Sequence, residues 1–129
     1  MCLGGVSGLA AAGEPEPTTV PTGVAERIGS AVQFGGDALF PSALVSHNGI
    51  LYLSALTAGF TGALFTMDVT TGIATRVGTA NQFGIRESNG TGLASLNGTL
   101  YMVGSRTYAL HTLNPTTGVA ARVGSATQF

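Results

Sequence analysis

The sequence predicts an all-β protein built from four-stranded antiparallel sheets, and three observations support this fold class. One phrase occurs three times, as TGVAERIGSAVQF (22–34), TGIATRVGTANQF (71–83) and TGVAARVGSATQF (117–129). Glycine, with 20 copies in 129 residues, interrupts every window long enough to hold a helix. Between the glycines lie short runs rich in β-branched and aromatic residues, the pattern of strands joined by tight turns.

The repetition continues beyond this phrase. Two further pairs of segments align: SALVSHNGILYL (42–53) with TGLASLNGTLYM (91–102), and GALFTMDVTTG (62–72) with YALHTLNPTTG (108–118). Gly23, Gly72 and Gly118, which mark the repeated Thr-Gly turn, lie 49 and 46 residues apart. The chain therefore contains two complete units of nearly equal length, preceded by one extra terminal piece.

Each unit contains four strand candidates. The predicted strands are 43–46, 50–54, 63–67 and 73–77 in the first unit, and 92–96, 99–103, 108–113 and 119–123 in the second. Asn48-Gly49 and Asn97-Gly98 separate the first two strands, and Asn-Gly favours the type I′ hairpin turn because both central residues need a positive φ. The second strand is apolar on both faces, so both faces must be covered.

Four antiparallel strands, a period in the forties and a central strand covered on both faces describe a β-propeller blade. The units, of the form GLAxxNGTLYMVG followed by ALxTLNPTTGVAxRVG, also resemble the β-propeller repeats found in tandem in many bacterial proteins. This resemblance covers residues 20–129 and implies a secreted or cell-surface location. It implies no particular chemistry, since such repeats serve unrelated roles.

We expect two regions along the chain. These are a flexible N-terminal segment (1–19) and a propeller repeat region (20–129), the latter divided into a partial blade (20–34), a blade (35–78), a second blade (79–124) and a tail (125–129). Pro15 and Pro17 support a linker before the repeats, since proline lacks the backbone donor that a strand needs. Residues 1–13 faintly resemble the end of a signal peptide but lack its positively charged start.

The number of blades predicts an incomplete ring, because propellers usually close with four to eight blades. One interpretation is that several copies form a closed ring, each supplying its extra outer strand to a neighbour. The other, which we favour slightly, is a piece of a longer array, since Phe129 stops where the copies at Phe34 and Phe83 continue. In both cases self-association or further blades must cover the open apolar faces.

Composition argues against several classes of partner. Charged residues make up 9% of the chain, lysine is absent and the net charge is −1, which disfavours binding to nucleic acid or to an anionic membrane surface. No apolar run is long enough for membrane insertion. Cys2 is the single cysteine, and no His-x-His spacing occurs, so we predict no metal site and no cofactor.

The few residues that could perform catalysis occupy packing positions. His47 aligns with Leu96, and His111 aligns with Phe65, so each histidine replaces an apolar residue of the other unit. No nucleophile elbow and no phosphate-binding loop are present. We therefore predict that the protein is not an enzyme.

Several polar positions recur between units. One position holds Arg27, Arg76 and Arg122, and another holds Gln33, Gln82 and Gln128. The arginines either lie with their stems over a neighbouring alanine and blade and their guanidinium groups in water, which we favour, or form a ring that binds acidic glycans. The glutamines, each followed by phenylalanine, are either loop anchors, which we favour, or parts of sugar pockets. Asp68 and Asn114 precede the Thr-Thr-Gly turns and are expected to accept their N–H groups.

Candidate binding residues lie on the longer loops. In an up-and-down blade the tight turns share one end, and the longer segments 30–42, 54–62, 79–91 and 104–107 share the other. Binding residues tend to lie on loops held by a rigid scaffold. Our candidates are Asp37, Phe60, Arg86, Glu87, Asn89 and Arg106.

These observations predict a non-catalytic binding or adhesion module whose ligand is a glycan or another protein. One alternative is a purely structural repeat segment of a larger surface protein. A less favoured alternative is part of a propeller lyase or glycosidase that uses Asp37, Glu87 and nearby arginines.

Overall fold

The computed structural model describes residues 23–30, 34, 38–87 and 89–125, which form two four-stranded antiparallel sheets. Blade 1 consists of β1 (Ala38–His47), β2 (Ile50–Thr57), β3 (Gly62–Met67) and β4 (Ala74–Arg76); blade 2 consists of β5 (Gly90–Leu96), β6 (Thr99–Gly104), β7 (Leu110–Leu113) and β8 (Ala120–Arg122). The strands pair in sequence order within each sheet, and the sheets do not close into a barrel. The predicted all-β class is confirmed, and each of the eight predicted strands is found.

The first strand of each blade is longer than predicted. β1 begins at Ala38, inside the predicted loop 30–42, and its pairing with β2 shifts register between Pro41 and Ala43. Proline is tolerated in a strand at such irregularities because they do not need its missing N–H. β5 has the equivalent shift between Gly90 and Gly92, so both inner strands bend at the same place. In the described parts of the chain no helix is long and apolar enough to span a membrane.

The predicted turn chemistry is present in both blades. Asn48 and Gly49 have φ values of 50° and 78°, and Asn97 and Gly98 have 49° and 77°, as the type I′ turn requires. At the β3–β4 turn, Oδ1 of Asp68 accepts the N–H groups of Thr70 and Thr71 at 2.8 and 2.9 Å. Oδ1 of Asn114 accepts the equivalent pair, from Thr116 and Thr117, at 2.8 and 3.1 Å. Both turns are therefore closed by their own side chains.

The core lies between the blades. We call the face of blade 1 that carries Tyr52, and the aligned face of blade 2, the forward face. The opposite face of each sheet, which carries Met102 in blade 2, is the rear face. Blade 1 contributes forward-face Val45, Tyr52, Leu64 and Val77 to this core, and blade 2 contributes rear-face Leu93, Leu100, Met102, Leu113 and Ala120. Phe83, on the segment that connects the blades, is fully buried in the same cluster. The blades therefore pack with two different faces in contact.

The extra N-terminal piece, residues 23–30, contacts blade 1 in the same way that the residues after β4 contact blade 2. A Cβ on Gly78 would overlap the carbonyl of Thr117, and a Cβ on Gly29 would overlap the carbonyl of Thr71. Phe34, the equivalent of Phe83, packs against the rear-face cluster of blade 1. Residues 23–30 thus take the place of a preceding blade's outer strand. The expectations for residues 1–19, including Cys2, lie outside the described residues.

Candidate functional site

The longer connections meet at one end of the two blades, which we call the loop end. It comprises the β2–β3 connection (58–61), the β6–β7 connection (105–109) and the segment between the blades (77–89). The Asn-Gly and Thr-Gly turns lie at the opposite end, as the up-and-down strand order requires. Five of the six predicted binding residues lie at the loop end; Asp37 is outside the described residues.

Glu87 holds the loop end of blade 2 together. Its side chain has an exposed fraction of 0%. Oε1 accepts the N–H of Arg106 at 2.7 Å, and Oε2 accepts both the N–H and the hydroxyl of Thr107 at 2.8 Å each. Ser105 Oγ and the Asn89 N–H donate weaker bonds at 3.3 Å. The carboxylate therefore fixes the β6–β7 loop from within, and it is not free to contact a ligand.

Electrostatics keeps Glu87 ionised. Burial raises the pKa of this carboxyl, but the N–H groups of Thr107 and Arg106 together lower it by more than burial raises it. The pKa of Glu87 therefore lies below its usual value. Gly104 makes room for the carboxylate, since a Cβ there would overlap Oε2. The aligned residues of blade 1 are Ala38 and Ala55, so the acid and the glycine occur together in blade 2 alone of the two blades.

Asn89 belongs to the contact between the blades. The Ser42 hydroxyl of blade 1 lies 2.8 Å from Asn89 Oδ1 and 2.8 Å from the Gly90 carbonyl. The buried Ser54 hydroxyl donates to the same Gly90 carbonyl at 2.8 Å. These bonds fix the position of the two inner strands relative to each other at the loop end.

The exposed part of the site is aromatic in blade 1. Phe60 stacks on Phe40 with ring centroids 5.7 Å apart and an interplanar angle of 20°, although 66% of Phe60 and 50% of Phe40 are exposed. The loop is closed by the Phe60 N–H, which donates to the Thr57 carbonyl at 2.8 Å, and by the Thr57 and Thr61 hydroxyls, 2.8 Å apart. The pair is therefore an apolar surface on a fixed loop.

Blade 2 adds cationic and aromatic side chains to the loop end. Arg86, Arg106 and Tyr108 are exposed, and the last two lie on the loop that Glu87 anchors. Arg86 and Tyr108 have φ values of 64° and 51°, and Phe60 in blade 1 has 59°. A left-handed backbone is costly for bulky residues, and such strain concentrates at binding and catalytic sites.

The outcome for the predicted residues is mixed. Phe60, Arg86 and Arg106 are accessible, whereas Glu87 and Asn89 support the loops. The sequence pattern does not single out Phe40, because it places this residue in a loop and does not show that Phe40 contacts Phe60. It does not single out Tyr108 either, because it places that residue in a strand. The signal for Phe40 was an aromatic residue directly before Pro41.

The two histidines pack inside the protein. His47 lies between the blades, with Nδ1 2.7 Å from the Ser95 hydroxyl. His111 is buried in blade 2, where its Nε2 lies 3.4 Å from Thr107 Oγ1. Burial lowers the pKa of His111; the charge of Glu87 opposes this effect, and the charge of Arg122 adds to it. The Thr107 hydroxyl donates to Glu87 and lies beside His111, so the three side chains form one hydrogen-bond network.

The repeated residue Arg76 anchors the segment between the blades with its side chain, and main-chain bonds close the same segment. Arg76 Nη2 donates to the Ala80 carbonyl at 2.8 Å and to Asn81 Oδ1 at 2.6 Å. The Gln82 carbonyl accepts the Ile85 and Glu87 N–H groups, both at 3.1 Å. The guanidinium of Arg76 is thus engaged with its own chain, which differs from the expected solvated position. Gln33 and Gln128 lie outside the described residues.

In the part of the chain that the structure describes, no three His, Cys, Asp or Glu side chains cluster. No protein-family model matches the sequence, and no curated protein and no solved structure matches it significantly. The function must therefore be inferred from the site itself.

Proposed function

We propose that this protein is a non-catalytic binding or adhesion module that recognises a glycan or another protein through the loop end of its blades. The observation that carries the proposal is the stacked pair Phe40 and Phe60, which stays exposed on a closed loop. A flat aromatic surface suits both the apolar face of a sugar ring and an apolar side chain of a protein. A secreted or cell-surface location accords with either ligand.

Preorganised loops support this proposal. Glu87 accepts backbone N–H groups of the β6–β7 loop, and Ser42 joins the two inner strands. A loop that is already ordered loses less conformational entropy when a ligand binds, so more of the contact energy appears as affinity. Arg86 and Arg106 add positive charge at the same loop end, which favours a ligand with acidic groups.

The test is a glycan array together with a pull-down from extracellular proteins, followed by affinity measurements on variants. Phe60→Ala should weaken binding about tenfold or more, because exposed aromatic anchors commonly carry much of the binding free energy. Val69→Ala is the matched control, since Val69 is equally exposed, at 65%, but lies in a turn at the opposite end. Arg106→Ala should also weaken binding, and high salt should reduce this effect.

Two results would count against the proposal. One is a ligand whose affinity is unchanged in Phe60→Ala, and the other is an equal loss in Val69→Ala. Failure of both the array and the pull-down with folded protein would favour the purely structural role.

A further inference from the structure

In the contact between the two blades, the rear face of blade 2 covers the forward face of blade 1. Among the described residues, nothing covers the forward face of blade 2 in the same way. Forward-face His47, Tyr52 and Leu64 of blade 1 have exposed fractions of 3%, 5% and 1%, because the rear face of blade 2 covers them. Blade 2 carries the same forward face at the aligned positions. There Leu96 is 60% exposed, and Tyr101 and Leu110 are half-buried. Among the described residues, the forward face of blade 2 is therefore an apolar surface that no other element covers.

The rear face of blade 1 is the complementary surface. Its inner part is exposed at Leu44, which is 54% accessible, whereas the aligned Leu93 of blade 2 packs against the core between the blades. A cleft of about 610 Å³ lies over this face, lined by Leu44, Leu51, Met67 and the N-terminal residues Ile28 and Phe34. Residues 23–30 cover the outer part of the face, and among the described residues no inner strands of a preceding blade fill the cleft.

We propose that a second copy of this chain binds here head to tail, with the forward face of its blade 2 on the rear face of blade 1. The same kind of contact already exists within the chain, between blade 1 and blade 2, with the same residue types at most aligned positions. Leu96 of the second copy takes the place of His47, and Ser46 takes the place of Ser95. Replacing a polar contact with leucine makes this interface more apolar than its template.

This contact joins two different faces, so each copy keeps one face of each kind for the next copy. Such a heterologous interface gives a closed ring when the rotation per copy divides the circle, and a filament otherwise. Two blades per chain and rings of four to eight blades predict about two to four copies. In the assembly, residues 25–27 would lie where β8 of the second copy lies, along the edge of that copy's β7. Both segments have the sequence Ala-x-Arg, so they compete for this edge and one of the two segments must leave it.

The experiment is light scattering on a size-exclusion column, with the 129-residue chain over about a hundredfold range of concentration. Leu44→Arg alters the rear face and Leu96→Arg alters the forward face. Each variant should fold, because both side chains are exposed in the single chain, and each should run as a 12.9 kDa monomer. Thr116→Arg, in an exposed turn, is the control and should assemble as the unaltered chain does.

Mixing the two variants identifies the interface. Leu44→Arg keeps an intact forward face and Leu96→Arg keeps an intact rear face, so an equimolar mixture should form one-to-one pairs that grow no further. An interface between identical faces would not be restored by mixing. If circular dichroism shows that Leu96→Arg is unfolded, Ala94→Arg tests the same exposed face.

Three results would overturn the proposal: an unaltered chain that stays monomeric throughout, a face variant that assembles like the unaltered chain, or a mixture that stays monomeric. The proposal is independent of the ligand at the loop end, since neither face contains Phe60 or Arg106.

Discussion

At the scale of single residues, Glu87 shows how a carboxylate can organise a loop without touching a ligand. Its oxygens accept two backbone N–H groups and a hydroxyl from Arg106 and Thr107, some twenty residues along the chain. In its absence these donors would need other acceptors. The residue is therefore a determinant of loop structure, and its substitution should change stability before it changes binding specificity.

We expect Glu87→Gln to lower the free energy of unfolding by about 2 kcal/mol, since hydrogen bonds to a charged group contribute about 1.5–3 kcal/mol and an amide offers one acceptor in place of two. Urea unfolding at neutral pH measures this change. Glu26→Gln, at an exposed position, is the control and should have little effect. Equal stability of the two variants would contradict the role assigned to Glu87.

The stabilisation by Glu87 should depend on pH, and a comparison of the original chain with Glu87→Gln measures this dependence. The folded-state pKa of Glu87 is lowered from 4.5, so its contribution is present above that value and is lost as the pH falls through the folded-state pKa. The difference in stability between the original chain and Glu87→Gln should therefore shrink in acid.

His111 gives a prediction of a different kind, because burial lowers its pKa from 6.5. The unfolded chain binds a proton more readily, so stability falls as the pH drops below 6.5 and towards the folded-state pKa. His111→Phe, which copies the aligned Phe65, should lose this part of the pH dependence. Thermal unfolding at pH 8 and pH 5 tests it. The variant's relative stability should rise at the lower pH, and a constant difference would contradict the assignment.

Residue identity predicted that the histidines pack inside the protein, but it did not predict the burial of Glu87. A histidine that alternates with Leu96 or Phe65 between units signals a packing position, and His47 and His111 are both buried. Glu87 also aligns with an apolar residue, Ala38, but its hydrogen-bond donors come from a loop twenty residues away. A carboxylate in a polar loop has the same sequence context whether it faces water or N–H groups.

At the scale of elements, the close approach of neighbouring blades depends on a glycine that ends each outer strand. Gly29 and Gly78 occupy this position, and each has a neighbouring carbonyl where a Cβ would be. Both have positive φ, as does Gly98 in a hairpin turn. Gly98, however, has no atom within 4 Å of that point. A comparison of substitutions at these positions therefore distinguishes the cost of a left-handed backbone from the cost of a clash between blades.

Gly78→Ala should therefore destabilise the protein much more than Gly98→Ala. Both alanines must adopt a left-handed backbone, which costs about 1 kcal/mol. At Gly78 the methyl group also collides with the Thr117 carbonyl, and overpacking of this kind adds about 1–3 kcal/mol. Chemical denaturation of both variants measures the difference. Similar losses would show that the blades tolerate a wider separation.

Most of the element structure could be predicted from local signals. Asn-Gly, Thr-Thr-Gly and the alternation of apolar residues located all eight strands, because turn geometry and side-chain alternation act over a few residues. The limits of the long strand β1 could not be predicted. Its first residues pair with the end of β2, and that pairing is a contact across the hairpin.

At the scale of the whole molecule, the open faces predict that thermal stability depends on concentration. If copies assemble head to tail, mass action favours the folded assembly, and Tm should rise with protein concentration. Leu44→Arg blocks the rear face, so its Tm should be constant over the same range. Differential scanning calorimetry at several concentrations tests this. A constant Tm for the unaltered chain would contradict assembly through these faces.

The sequence by itself determined the repeating unit, its strands and its turns, since each depends on interactions between near neighbours. The tertiary structure alone decided which face of each blade is covered, where residues 23–30 lie, and that Glu87 points inward while Phe40 and Phe60 stack in the open. The physical reason is range. Turn propensity is a property of two or three residues, whereas burial and hydrogen-bond partners depend on surfaces that only the folded chain brings together.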